Sequence, residues 1–356
     1  MFLKKNILLL LCIFFKLNYC NQTFNEINQN IYDNNENNTI ISPIIKFNNK
    51  NNAKKNIILG IIENYNWDIV SPFFESIIKV NFTNCDIVMF VRNVSEKLKN
   101  KLKNIGIIIY EIPEKYKNIP AINCRWKMYI EFLKNKQNEY NIVFSTDVRD
   151  VIFQKDVFQY YKNHEPFLGV ALEEDTLKEV INKKWVKDFC GKKKYEKIKN
   201  ERIICVGTIW GTFDKFLNFS IIFYEKLSLY PNNIEQGIAN YLFYYEGLFK
   251  DCLIKSDNFG PVMTLRLVRN EIIKFDSQYN ILNFRGEIAA VIHQYDRKFD
   301  VTKKVKIKFC PDLLIKEENK TFGELRNIIT FFIYLESLTI VFLLKIALYL
   351  CKIKRK

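Results

Sequence analysis

The sequence predicts an α/β fold with a doubly wound, mostly parallel sheet. Three observations lead there. Short apolar runs alternate with stretches of helical spacing from residue 56 onward. Runs such as 142–144 are continuously apolar, as strands buried on both faces are. The 142–144 run ends in Ser145, Thr146 and two carboxylates, at the place where open α/β sheets bind ligands.

The elements follow in order. Residues 56–62 read as the first strand, closed by Glu63, Asn64, Tyr65 and Asn66. Helical spacing covers 69–80, a second strand 85–91, a second helix 94–102 and a third strand 105–112. A helix over 122–134 leads into the strand 142–144. A further strand at 167–172 precedes Glu173, Glu174 and Asp175. The run 203–211 carries Gly207 and Gly211, which suggest a close backbone approach. Residues 233–245 read as a helix that begins with Glu235 and Gln236 and carries Asn240 one turn on. Phe259, Gly260 and Pro261 form a turn, and a late strand from 289 delivers His293. The first strand has no Gly-x-Gly-x-x-Gly after it, so a dinucleotide-binding fold of that kind is not supported.

The ends of the 356-residue chain differ from its body. Residues 1–20 pair a basic start with the apolar core 7–15, the pattern of a secretory signal. The cleavage site is poor, because Asn18 stands where a small residue is usual, so a cleaved peptide and a retained anchor both stay open. Residues 21–54 hold 12 asparagines among 34 residues and read as a disordered stem. Residues 328–351 are long enough to span a bilayer, with Glu336 and Lys345 as charged exceptions. A buried core helix is the alternative for that segment. The basic tail 352–356 suits the cytosolic side and resembles a dilysine retrieval signal. The body, about 55–327, would then lie in the lumen. Six glycosylation sequons agree with that placement.

The net charge of +15 would suit nucleic acid or an acidic membrane surface. A luminal body lies away from nucleic acid, and lysine runs such as 192–194 read as solvated faces. Six of the nine cysteines fall in the body, without a Cys-x-x-Cys pair. A zinc site of the usual spacing is therefore not expected, and an oxidising lumen would allow up to three disulfides.

Asp147 and Asp150 are the first functional candidates. Two acids at a strand end can hold a hard divalent cation. In an extended chain they would face opposite ways, so they converge only if the chain turns at Val148 and Arg149. Arg149 would then lie beside phosphates or pair with one acid. The plain alternative is that both acids are turn formers. His293 is one of two histidines, and a lone histidine beside an apolar run is more often a core or surface residue than a ligand.

The segment Ser145-Thr-Asp-Val-Arg-Asp-Val-Ile-Phe-Gln154 resembles the metal motif of GT-A nucleotide-diphospho-sugar glycosyltransferases. It is most similar to uncharacterised eukaryotic members with Asp-x-Arg-Asp. The resemblance runs from about 56 to 297. The 205–211 segment resembles the family's acceptor-side glycine segment. Glu235-Gln236 with Asn240 resembles its Asp-Gln helix start, and 291–297 its late histidine segment. It implies a GT-A-like fold and a Mn2+- or Mg2+-dependent sugar transfer from a nucleotide-sugar donor to a glycan, protein or lipid acceptor. Asp150 and His293 would bind the metal, and Asp147 would complete its shell or contact the ribose. Asn64, Arg125, Arg149, Gly207, Gln236 and Asn240 would serve substrate binding. An inverting enzyme also needs a base, for which Glu235, Glu174 and Asp175 are candidates. For Glu235 a first-turn acid at a helix N-terminus is an equal alternative. The motif is Asp-x-x-Asp rather than Asp-x-Asp, and Glu235 stands where Asp is usual. A non-catalytic luminal nucleotide-sugar- or glycan-binding protein on the same scaffold is the alternative function.

Overall fold

The computed structural model describes residues 54–230 and 234–316, all within one compact unit. The expected signal, nearly all of the stem, the 328–351 span and the basic tail lie outside the described residues. Among the described residues no helix is long and apolar enough to cross a membrane.

The chain opens with strand β1 (Lys55–Glu63), helix α1 (Trp67–Val80), β2 (Cys85–Arg92), α2 (Glu96–Asn104) and β3 (Ile108–Glu111). Then come α3 (Ala121–Leu133), β4 (Tyr140–Thr146), β5 (Val151–Phe153), β6 (Leu168–Thr176) and α4 (Val180–Ile198). β7 (Arg202–Thr212), α5 (Phe213–Leu229), α6 (Glu235–Tyr244), β8 (Leu253–Ser256) and β9 (Val262–Thr264) follow. β10 (Lys274–Phe275), β11 (Ile281–Leu282), β12 (Val291–His293) and α7 (Phe299–Phe309) complete it.

Local sequence sets the helix starts. The Asn66 side chain accepts from Ile69 N–H and caps α1, and Ser95 caps α2 in the same way. The third strand is shorter than expected. Ile105 closes α2 through bonds to the carbonyls of its last turn, so pairing begins only at Ile108.

The main sheet has the order β3-β2-β1-β4-β7-β6-β8. β3, β2, β1 and β4 are mutually parallel, β7 runs against both β4 and β6, and β8 lies parallel to β6. The expected mostly parallel sheet therefore carries one inverted strand. Strand alternation builds a core on each face. Ile58 and Ile62 of β1 join α1, while Ile57, Leu59 and Ile61 join α3, α5 and α6. A second sheet, β5-β12-β9, packs under α7. Gln154 ties it down, with its amide bonded to Ile281 N–H and to the carbonyls of Ile281 and Ala289.

The six body cysteines are all unpaired, so none of the disulfides a lumen would allow is formed among the described residues.

Asn240 is fully buried on α6 and clamps β7. Its Oδ1 accepts from Ile204 N–H at 2.8 Å and its Nδ2 donates to Ile204 O at 2.9 Å. Asn240→Leu keeps the volume but leaves both backbone groups unpaired. We expect it to lower unfolding free energy by about 2–4 kcal/mol, read by chemical denaturation.

Candidate functional site

The reversal in strand order falls at β1, whose neighbours β2 and β4 lead to opposite sides. Such reversals open a crevice beyond the strand ends. Asn64 and Tyr65 lie past the end of β1, and Asp147 past the end of β4. Asn64 is exposed, has φ 57° and donates its N–H to Arg92 O.

The chain does turn after Asp147. Val148 is buried in the core while the Arg149 side chain is 40% exposed, and this brings Asp147 and Asp150 together. Gly60 makes room for the turn, since a Cβ there would lie 2.7 Å from Val148 Cγ2. β5 starts directly after Asp150 and pairs with β12, setting His293 opposite Val151. Backbone bonds fix these pieces to one another. Asp147 N–H donates to Gly207 O and Gln294 N–H to Asp150 O, at 2.8 and 2.7 Å.

One oxygen from each acid and a ring nitrogen of His293 lie within 4.8 Å of one another. His293 Nε2 is 3.4 Å from Asp147 Oδ2 and 3.6 Å from Asp150 Oδ1. The ring is 1% exposed, and Nε2 has no hydrogen-bond partner among the described residues. Two carboxylates and an imidazole form a donor set that suits a divalent ion such as Mn2+ or Mg2+. Gly207 supplies the space. A Cβ there would meet His293 Cε1 at 2.2 Å, Nε2 at 2.6 Å and Asp147 Oδ2 at 2.7 Å. The glycine expected to touch substrate thus forms the floor under two of the candidate ligands.

Arg125 is the buried centre behind this cluster. Its Nη1 donates to Asp147 Oδ1 and its Nη2 to Glu235 Oε1, both at 2.6 Å, and Nη2 also reaches Val206 O at 3.2 Å. Trp126 Nε1 donates to the other Glu235 oxygen at 2.9 Å. Burial alone would raise the Asp147 carboxyl, but the Arg125 charge and His293 hold it well below the usual carboxylate range. Burial raises Asp150, with His293 opposing and Asp147 adding to the rise. Burial pushes Glu235 up to about 7 against the pull of Arg125. Burial disfavours the charged Arg125, yet the Glu235 and Asp147 carboxylates outweigh it and keep the guanidinium protonated.

The remaining expected residues divide. Gln236 is buried and donates to Glu173 Oε1 and to Asn182 Oδ1. Asn240 clamps β7, as described. Glu174 is exposed, accepting from Arg202 and Asn258, and exposed Asp175 accepts from Thr176 N–H. The fully buried acid of that trio is Glu173, next to Arg266 at 3.7 Å. Arg149 lies 3.4 Å from both Asp150 and Asp296.

Several neighbours were not singled out from the sequence. Arg297 lies 3.5 Å from Asp150 and bonds Asp296 at 3.1 Å. Tyr65, half-buried, has its hydroxyl pKa raised first by burial, with Arg149, Asp147 and Asp150 all acting on it. Cys205 and Thr264 sit against the far nitrogen of His293. The period-two spacing of Cys205 and Gly207 on one strand was the available signal for the thiol.

No protein-family model matches the chain, and no curated protein matches it. Among solved structures it is similar to an active-site mutant of LgtC, at 13% identity and a TM-score of 0.46, over 70% of this chain and 94% of that one. It is also similar to the galactosyltransferase LgtC in complex with donor and acceptor sugar analogues, at 13% identity and a TM-score of 0.43, over 71% and 95%. Likeness at that depth leaves function to the geometry of the site.

Two outcomes test this geometry. Gly207 has no left-handed backbone to lose, so Gly207→Ala should leave the fold intact. It should weaken Mn2+ binding by at least about tenfold in calorimetry, because His293 must move. The second concerns pH. A Glu235 pKa near 7 in the folded chain exceeds its unfolded value of 4.5, so the folded state holds the extra proton between those values. Stability from this group is present below pH 4.5 and declines as pH rises toward 7. In EDTA, Glu235→Gln should flatten that decline, seen as a smaller change in Tm across the window.

Proposed function

We propose that this chain is a GT-A-like glycosyltransferase that takes a sugar from a nucleotide-sugar donor with the help of a divalent cation. The observation that carries the reading is the cluster of half-buried Asp147 with buried Asp150 and His293 at the sheet's switch point, with Gly207 leaving room for it. Bound there, a cation would offset the charge that builds on a diphosphate leaving group. Arg149 and Arg297 are each about two-fifths exposed beside Asp150, and their guanidinium N–H groups can donate hydrogen bonds to the same phosphates. Arg125 keeps Asp147 ionised, and Asn64 and Tyr65 offer the rim for the nucleoside. The acceptor would be a glycan, protein or lipid.

The proposal also takes the body to the luminal face of the endoplasmic reticulum or Golgi, held by the 328–351 segment. That part rests on the sequence: the signal-like start, the apolar segment and the sequons.

A second reading is a non-catalytic nucleotide-sugar- or glycan-binding protein on the same scaffold. One observation favours it. Glu235, Glu174 and Asp175, the three base candidates, are all engaged by protein donors. A retaining transfer would not need a base in that place.

Nucleotide release from a panel of UDP- and GDP-sugars, with and without Mn2+, decides between them. The enzyme reading expects metal-dependent release by the full-length chain, falling below detection in Asp150→Ala while the fold persists. Nucleotide binding by calorimetry without release, across donors and acceptors, would support the binding protein instead.

A further inference from the structure

We propose that Thr264 is a positioning residue of the metal site, holding the His293 proton on Nδ1 so that Nε2 stays free for the cation. The inference rests on the metal-site reading above. It starts from the register of the small sheet. β9 and β12 are parallel, and Thr264 is the direct neighbour of His293 across that pair. Thr264 Oγ1 therefore lies 3.4 Å from His293 Nδ1, on the side of the ring away from the two carboxylates. Nε2 faces Asp147 and Asp150 and has no hydrogen-bond partner among the described residues.

A neutral imidazole carries one proton, and the hydrogen bond at one nitrogen decides which tautomer exists. A cation on Nε2 requires the proton on Nδ1, where a hydroxyl oxygen can accept it. Thr264 is held firmly for that task. Buried Asn258 accepts from its N–H at 2.9 Å and donates to its carbonyl at 3.3 Å. β12 adds a third restraint, as His293 O accepts from Leu265 N–H at 3.0 Å.

Cys205 is the competing neighbour, with Sγ 3.4 Å from the same nitrogen. Sulfur is the weaker acceptor of the two. Cys205 and Gly207 share one face of β7 by strand alternation. The ring thus lies across both positions, with the glycine giving it depth and the thiol closing the back.

Mn2+ calorimetry on the detergent-solubilised full-length chain tests this, comparing wild type with Thr264→Val, Thr264→Ser and Cys205→Ala. Valine is nearly isosteric and suits a strand, so circular dichroism should show an intact fold. We expect Thr264→Val to weaken Mn2+ binding by about 10–100-fold, Thr264→Ser to restore most of it, and Cys205→Ala to cost less than Thr264→Val. A second readout needs no variant. The chain has only two histidines, so 15N shifts of the Mg2+-loaded protein can report the His293 tautomer directly. Protonation at Nδ1 is the expected result. Wild-type affinity in Thr264→Val, a larger loss in Cys205→Ala, or a proton found on Nε2 would each overturn the assignment. Absence of any Mn2+ or Mg2+ binding by folded wild type would instead overturn the metal-site reading, and this inference with it.

Discussion

A single guanidinium, that of Arg125, holds the centre of this molecule together. It is 1% exposed and meets two carboxylates, on β4's end and on α6, as well as the β7 backbone at Val206. Four elements therefore converge on one charge. Removing one partner of a buried pair typically costs about 3–5 kcal/mol, since the other is left uncompensated. α3 carries this arginine toward the sheet, where the two carboxylates receive it. It also gives the Asp147 side chain two different tasks on its two oxygens. Oδ1 takes Arg125, and Oδ2 is left to face His293.

The same network recasts the start of α6. Glu235, Gln236 and Asn240 sit on one helix, and all three turn their polar groups inward. Glu235 meets Arg125 and Trp126, Gln236 meets Glu173 and Asn182, and Asn240 meets Ile204. Their burial makes α6 the bracket that fixes β7 and Arg125 together. Of the residues read as substrate contacts there, Gln236 is bonded to Glu173 and Asn182, and Asn240 to the backbone of Ile204.

Most of the fold was legible because its signals are local. Continuous apolar runs marked the strands and helical spacing the helices, while the caps Asn66 and Ser95 were local signals left unused. The antiparallel course of β7 was not legible, because direction depends on the connection through α4 and not on residues within the strand. The turn that joins Asp147 to Asp150 was foreseen as a condition, and Val148 meets it by entering the core. The acids of 173–175 show where spacing falls short. Strand alternation sends one neighbour in and the next out, but one sequence does not give the phase. Here Glu173 points in and Glu174 points out. Tyr65, Arg297 and Thr264 were hidden for another reason: each reaches the site by register between elements far apart in the chain.

That separation has a consequence for how the chain folds. Arg125 and Glu235 are 110 residues apart, and Cys205 and His293 are 88 apart. Closing such loops costs entropy before any contact repays it, and non-local pairings of this kind slow folding. β7 enters between strands on either side of it in the sheet, so the central pairing forms only when β4 and β6 are both in hand. The small sheet that carries His293 joins β5, which follows β4 directly, to β9 and β12 from late in the described chain. The cation proposed for Asp147, Asp150 and His293 would be a ligand of the folded chain, since the histidine reaches the acids only across the paired strands β5 and β12. By mass action such a cation would favour the assembled site, so its concentration would add to the stability of the fold.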